Sequence, residues 1–159
     1  MSSNFPERPE KLFERRRFTI VASEYNRDYV NGLVSHAIDE LKIIAPQAEV
    51  AVVRVPGSFE IPIAVKSVAK YQNPDVILAF GVIFEGETLH ASLIATAVTQ
   101  ALLEISLTSE IPILHEVLVV KNDEQAKIRC LLAESNRGTE AARAGARIFH
   151  ALRQIRKEA

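Results

Sequence analysis

The sequence predicts an α/β domain in which helices flank both faces of a four-stranded parallel sheet, giving a three-layer sandwich. Four short apolar runs, at residues 18–22, 49–55, 76–84 and 111–120, alternate with stretches whose apolar residues recur every three or four positions. The run at 76–84 is apolar almost throughout, which is typical of a strand covered on both faces. Strands that alternate with helices in this order favour parallel pairing with right-handed crossovers.

Composition limits the size of the protein and the partners it can have. The 159 residues, 48% hydrophobic and 25% charged, are enough for one domain with a substantial core. A net charge of −1 gives no electrostatic support to a nucleic-acid partner. The single cysteine, Cys130, excludes an internal disulfide and suits a reducing cytoplasm. We find no apolar stretch of membrane-spanning length and no signal peptide, so we expect a cytoplasmic protein without a membrane partner.

The N-terminal residues differ from the rest of the chain. Residues 1–17 carry charges throughout and contain Pro6 and Pro9, a pattern typical of an extended terminal arm. We therefore divide the chain into a flexible arm, residues 1–17, and a single domain, residues 18–159.

The first half of the domain predicts two strands and the helix between them. Residues 18–22 are apolar and partly β-branched, as in a buried strand, and residues 49–55 are rich in valine. Asn26 is a suitable N-cap for the first helix, and Pro46 ends it. The apolar face of that helix consists of Val30, Leu33, Val34, Ala37, Ile38, Leu41 and Ile44.

The second half predicts the remaining elements. Ser58 begins a helix with Pro62 in its first turn, where a missing N–H costs little. A long helix over residues 88–108 follows the third strand, and its many small residues favour packing against a second surface such as another subunit. After the fourth strand, Asn122 or Asp123 caps a short helix, and Asn136 caps the last one.

Polar and aromatic side chains follow the predicted strands, whose carboxyl ends share one edge of a parallel sheet. Tyr25 and Phe59 are aromatic, Glu60 is a carboxylate, and Thr88 and His90 lie at a helix start. Aromatic faces, an acceptor for hydroxyl groups and the positive end of a helix suit a planar, polyol-bearing molecule together with a phosphate. His90 is the candidate acid or base, because imidazole exchanges protons near neutral pH.

Each of these residues also has an ordinary structural interpretation. Phe59 is compatible with a core position, Glu60 with stabilising a helix dipole, and Thr88 with capping a helix. Cys130 is better explained as a small packed side chain than as a nucleophile.

Four motifs, in matching order and spacing from about residue 18 onward, resemble those of the 6,7-dimethyl-8-ribityllumazine synthases. They are V-P-G-S-F-E-I-P at residues 55–62, G-V-I at 81–83 with G-E-T-L-H at 86–90, E-Q-A at 124–126 with Arg129, and N-R-G at 136–138 with E-A-A at 140–142. The resemblance implies a flavodoxin-like fold and a homopentamer, which in some members assembles into decamers or sixty-subunit shells. Active sites lie between neighbouring subunits.

The resemblance also implies a transferase reaction, the penultimate step of riboflavin biosynthesis. In it, 5-amino-6-(D-ribitylamino)uracil condenses with L-3,4-dihydroxy-2-butanone 4-phosphate to the lumazine, with loss of phosphate and water and without a metal or cofactor. Riboflavin synthase is an expected protein partner.

The implied site residues fall into three groups. Those for the ribitylaminouracil are Tyr25, Ser58, Phe59, Glu60, Val82, Ile83, Phe84 and His115. Those for the butanone phosphate are Glu87, Thr88 and Arg129, and the implied catalytic acid or base is His90.

Three departures from the family pattern keep an alternative open. His115 replaces a usual phenylalanine and can still stack or donate a hydrogen bond. Glu85 replaces an arginine and Ala133 a lysine, and the loss of these two cations predicts weaker binding of the butanone phosphate. The alternative is a paralogue of low activity that binds lumazine or flavin, or forms a shell. A flavodoxin-like FMN protein fits poorly, because the turn after the first strand, residues 23–26, contains a glutamate.

Overall fold

A computed structural model describes residues 6–158. The strands are β1 (Arg17–Ser23), β2 (Glu49–Val55), β3 (Val76–Phe84) and β4 (Ile113–Val120). They pair in parallel in the order β2-β1-β3-β4. The predicted fold class is confirmed, although β4 begins two residues later than expected.

Helices cover both faces of this sheet. They are α1 (Arg27–Ile44), α2 (Ile61–Tyr71), α3 (His90–Ser109), α4 (Asp123–Cys130) and α5 (Arg137–Glu158). A 3₁₀ turn, Ser58–Glu60, precedes α2, so the predicted helix begins as a tighter turn. α1, α4 and α5 pack on one face of the sheet, and α2 and α3 pack on the other.

The core consists of two hydrophobic layers separated by β3. Successive side chains of a strand point to opposite faces, so Ile77 and Ala79 pack towards α2 and α3. The alternate residues pack towards α1 and α5, namely Val76, Leu78, Phe80 and Val82. Burial of both faces explains why this strand is apolar almost throughout.

Asparagine side chains fix three helix starts, in two different ways. Asn122 and Asn136 accept hydrogen bonds in their first turns, from Gln125 N at 2.9 Å and from Gly138 N at 2.8 Å. Asn26 stands at the predicted N-cap position but has a left-handed backbone, with φ of 55°, and makes no capping bond. Its Nδ2 instead donates to the Val82 carbonyl at 2.7 Å, which ties the β1–α1 turn to the end of β3.

The described part of the predicted arm lies against α1 and α5. Leu12 N donates to the Ile44 carbonyl at 2.7 Å. Glu40, only 5% exposed, accepts bonds of 2.8 Å from both Arg8 Nε and Arg143 Nε. Burial opposes its charge, but the two arginines hold the pKa of Glu40 below its ordinary value. Residues 1–5 lie outside the described residues, and the flexible arm stays a prediction.

α3 differs from the other helices because most of its apolar surface is uncovered. It is long and apolar enough to cross a membrane, with a mean hydropathy of 1.4, so the expectation that no such stretch exists was wrong. Val98 and Leu102 pack against the sheet, but only 17% of the most apolar stretch of the helix is buried. Its exposed large side chains are Leu93, Leu103 and Leu107.

The start of α5 requires glycine, and this requirement predicts a stability effect. A Cβ atom on Gly138 would lie 2.0 Å from the Leu33 carbonyl oxygen of α1, whereas one on Gly86 would meet no atom within 4 Å. We expect Gly138→Ala to lower the free energy of unfolding by about 1–3 kcal/mol or more, because backbone must move. Gly86→Ala should stay within about 0.5 kcal/mol of wild type.

Urea unfolding followed by circular dichroism, at one fixed protein concentration, measures both variants. Equal midpoints for the two variants would contradict the close approach of α1 and α5.

Candidate active site

The carboxyl ends of the strands form one edge of the sheet, as predicted. Ser23 is in register with Val55, and Phe84 with Val120. Backbone bonds join the turns that follow, since Glu24 N donates to the Val55 carbonyl at 2.8 Å. The turns after β1, β2 and β3 therefore form one continuous surface.

Two aromatic rings lie exposed on this surface. Tyr25 is 73% exposed and Phe59 is 61% exposed. A Cβ on Gly57 would lie 3.4 Å from Tyr25 Cδ2, so the tyrosine ring packs over the glycine that precedes the turn of Phe59. The core interpretation of Phe59 is excluded, and both rings offer faces on which a planar molecule can stack.

Ser58 and Glu60 shape the turn between these rings. Glu60 Oε2 accepts a hydrogen bond of 2.9 Å from Gly57 N. Ser58 is buried, and its Oγ lies so near Gly81 that a Cβ there would be 2.7 Å away. Glu60 thus has a structural role in holding the turn, and its contact with substrate hydroxyl groups stays a prediction.

The end of β3 contributes an apolar wall. Val82 packs in the core, so only its backbone can line a pocket, and its carbonyl already accepts from Asn26. Ile83 and Phe84 are partly exposed. The Phe84 ring lies 5.9 Å from that of Tyr29, centroid to centroid.

The turn after β3 leads directly into α3. Glu87, Thr88 and His90 are all exposed, and His90 is the first residue of the helix. Thr88 Oγ1 accepts a bond of 3.4 Å from His90 N. The first amides of a helix lack partners within it and carry its positive dipole end, so this turn suits an anion beside an imidazole.

A second group of charged residues lies beyond β4. Arg129 of α4 and Arg137 of α5 line a cavity of about 340 Å³, together with the strand end Leu118–Val120. We did not predict Arg137 as a site residue, although the N-R-G motif at residues 136–138 was the signal that could have found it.

His115 lies in the middle of β4 and faces α3. Its Nε2 is 2.7 Å from Thr99 Oγ1, and its Nδ1 accepts from Val117 N at 3.1 Å. These bonds define a neutral ring with the proton on Nε2. Burial lowers the pKa of His115, in agreement with that assignment.

A single chain does not bring all the predicted residues together. His115 is paired with Ala79, five positions before Phe84, which places it roughly 16 Å along the strand from the edge. Arg129 lies on the far side of β4. Tyr25, Phe59 and His90, by contrast, share the edge formed by β1, β2 and β3.

Within residues 6–158, no three histidine, cysteine, aspartate or glutamate side chains are grouped to hold a metal ion. A reaction without metal or cofactor stays a prediction. Cys130 is buried, and burial raises its pKa to about 12, in agreement with a packed thiol.

Comparison with known proteins identifies similar chains. Residues 15–153 match the sequence profile of the family described as 6,7-dimethyl-8-ribityllumazine synthase. The enzyme of that name from Aquifex aeolicus is 35% identical over 90% of this chain and 94% of its own. Those from Pyrococcus furiosus and Halorhodospira halophila are 40% and 34% identical, over 81% and 87% of this chain and 80% and 90% of their own.

The neutral state of His115 predicts a pH effect on stability. Its pKa is lowered in the folded protein, whereas the unfolded chain takes up a proton near pH 6.5. Stability should therefore fall as the pH drops below about 6.5, by at most about 1.4 kcal/mol per pH unit from this group. His115→Phe should remove that contribution.

Urea midpoints at pH 7.5 and 5.5 test this expectation, with wild type and variant compared at each pH. Parallel declines in the two proteins would show that His115 does not resist protonation.

Proposed function

The chain belongs to the 6,7-dimethyl-8-ribityllumazine synthase family, and we propose that it carries out the family's reaction at the sheet edge described above, between two copies of the chain. It is a transferase of riboflavin biosynthesis. It condenses 5-amino-6-(D-ribitylamino)uracil with L-3,4-dihydroxy-2-butanone 4-phosphate and releases phosphate and water. We place the reaction at this edge because Tyr25 and Phe59 are exposed there, beside the start of α3.

The ribitylaminouracil occupies the aromatic part of this edge in our proposal. Its planar ring stacks on Tyr25 or Phe59, and Ile83 forms the apolar wall behind it. The free oxygen of Glu60 and the turn around Ser58 accept hydrogen bonds from the ribityl hydroxyl groups. A carboxylate already fixed by Gly57 N binds such hydroxyl groups with little loss of side-chain freedom.

The butanone phosphate occupies the start of α3. Its phosphate accepts hydrogen bonds from the free amides around Glu87 and Thr88, where the helix dipole favours negative charge. Arg129 supplies a planar guanidinium suited to a phosphate. Because Arg129 lies beyond β4 in its own chain, we propose that a neighbouring copy brings it to this turn.

Assembly would cover the apolar surface of α3 that one chain leaves exposed. The leucine-bearing face of α3 is exposed in the single chain, and its burial against other copies would remove a large apolar patch from water. We therefore propose a homopentamer with α3 at its subunit contacts and active sites completed by His115 and Arg129 of the adjacent copy.

The chemistry requires proton transfer as carbon–nitrogen bonds form and phosphate leaves. The 5-amino group attacks the butanone carbonyl, one water is lost, and an imine forms. His90 then moves protons during the elimination of phosphate, while Arg129 stabilises the departing anion. After phosphate has left, the ribityl-bearing nitrogen attacks the remaining carbonyl and closes the ring with loss of a second water. Holding two reactants side by side removes an entropic cost of up to about 7–11 kcal/mol, so much of the acceleration comes from binding. Neither the fold nor the comparisons favour the alternative of a binding paralogue with little turnover, which rests only on the departures at Glu85, His115 and Ala133.

Steady-state kinetics test the assignment of the reacting residues. We expect His90→Ala to lower kcat by roughly 10²-fold without abolishing the reaction, because general acid–base catalysis is only part of the acceleration. Arg129→Ala should raise KM for the butanone phosphate by roughly tenfold or more, since a charged hydrogen bond is lost. Lumazine absorbance, corrected for the uncatalysed reaction, is the measurement.

Arg147→Ala, which removes an exposed arginine of α5, is the matched control and should behave as wild type. Wild-type protein that does not exceed the uncatalysed rate would refute the proposed function. Unchanged KM in Arg129→Ala would refute the phosphate assignment alone.

Sedimentation velocity tests the assembly. Leu103→Glu places a charge in the exposed face of α3 and should dissociate the assembly and reduce lumazine formation in parallel. Ile43→Glu alters an exposed apolar residue of α1 and serves as the control, with the mass unchanged. A Leu103→Glu protein with the wild-type mass would exclude α3 from the subunit contacts.

A further inference from the structure

Glu116 of β4 is a largely buried carboxylate to which the mechanism above gives no role. Its side chain is 13% exposed and lies on the side of the sheet covered by α4 and α5. Its Oε2 accepts from Arg137 Nε at 3.3 Å. A carboxylate in such a position needs a partner, because burial of an unpaired charge is strongly unfavourable.

Arg137 is held from two sides. Glu116 contacts its Nε, and Glu140, one turn further along α5, forms an ion pair with its Nη1. Arg137 is the first residue of α5, where the positive dipole end disfavours a cation. The two carboxylates offset that disadvantage and fix the plane of the guanidinium.

The position of Arg137 matters because it shares a cavity with Arg129. Both arginines line the space of about 340 Å³ at the end of β4, opposite apolar side chains of the strand. Two guanidinium groups on one cavity favour an anionic ligand.

We propose that Glu116 is a positioning residue of the synthase: it holds Arg137 beside Arg129, so that both bind the phosphate of the butanone substrate. The inference rests on the proposed function and deepens it at the phosphate end of the site. Arg137 makes the contact, and Glu116 acts through Arg137.

The same arrangement makes phosphate binding depend on pH. Burial raises the pKa of Glu116 to about 7; Arg137 and Arg129 oppose this rise and Glu140 adds to it. Cys130, the other titratable neighbour on α4, keeps its proton because burial and Glu116 raise its pKa. Ionisation of Glu116 near neutral pH cancels one positive charge beside the cavity, so attraction for phosphate weakens as the pH rises through 7.

A double-mutant cycle tests whether Glu116 acts through Arg137. At pH 6, where Glu116 with its raised pKa of about 7 is mostly protonated and its charge does not oppose phosphate, we expect Arg137→Ala and Glu116→Ala each to raise KM for the butanone phosphate. The rises should be roughly tenfold and roughly fivefold, with kcat changed less than about twofold. In the double variant, KM should equal that of Arg137→Ala. A further rise in the double variant, or an unchanged KM in Glu116→Ala, would overturn the proposal.

The pH profile separates positioning from mere packing. Glu116→Gln keeps an acceptor for Arg137 Nε and removes the titration, so the ratio of wild-type KM to variant KM should be near one at pH 6. It should rise to roughly threefold to tenfold at pH 8. The second ionisation of the substrate phosphate, near pH 6, affects both KM values equally and therefore does not change their ratio. Glu124→Gln removes an exposed carboxylate of α4 and should leave the ratio constant.

A constant ratio for Glu116→Gln would overturn the role of its charge even if the variant were less stable. If the wild-type protein formed no lumazine, the proposed function would fail separately. Calorimetric titration with inorganic phosphate would then decide the inference, because equal affinities of wild type, Glu116→Ala and Arg137→Ala would overturn it.

Discussion

Burial of β3 on both faces is the constraint on which the rest of this structure depends. The strand pairs with β1 on one side and β4 on the other, and its alternating side chains supply both hydrophobic layers. Parallel pairing in register sets the strand ends level, so the turns that carry Tyr25, Phe59 and His90 come to one edge. The site is thus a consequence of packing at the centre of the sheet.

The chain leaves two kinds of apolar surface uncovered, the aromatic rings at the sheet edge and one face of α3. Tyr25 and Phe59 project from the edge, and α3 presents a row of leucines next to it. Large exposed apolar residues in a contiguous patch are unusual for an isolated domain. The proposed assembly would also account for the separation of Arg129 from His90 within one chain, because two copies together would complete one site.

Two largely buried glutamates, Glu40 and Glu116, show how the neighbours of a carboxylate determine whether its pKa is lowered or raised. Desolvation raises the pKa of Glu40, but the hydrogen bonds from Arg8 and Arg143, together with their charges, outweigh it, so the pKa is lowered. Glu116 shares the single Arg137 with Glu140, and desolvation prevails, so its pKa is raised to about 7. Glu40 therefore stays ionised and fixes the arm against α1 and α5, whereas Glu116 exchanges its proton near neutral pH beside the cavity lined by Arg129 and Arg137.

The sequence by itself determined the fold class, the strands and the edge of the site, because these follow from apolar periodicity and from the rule that parallel strands end together. Three boundaries differ from the prediction: Asn26 makes no capping bond, Ser58 begins a 3₁₀ turn, and β4 begins at Ile113. Local propensity does not specify such details, because they depend on the contacts that each residue makes in the folded chain. Only the tertiary structure decided that Val82 turns into the core, that Glu60 holds the turn at Gly57, and that Arg137 lies beside Arg129. Those outcomes depend on how β3, β4 and α5 pack together and on the backbone geometry of the turn at residues 57–60. The spacing of residue types along the sequence records neither.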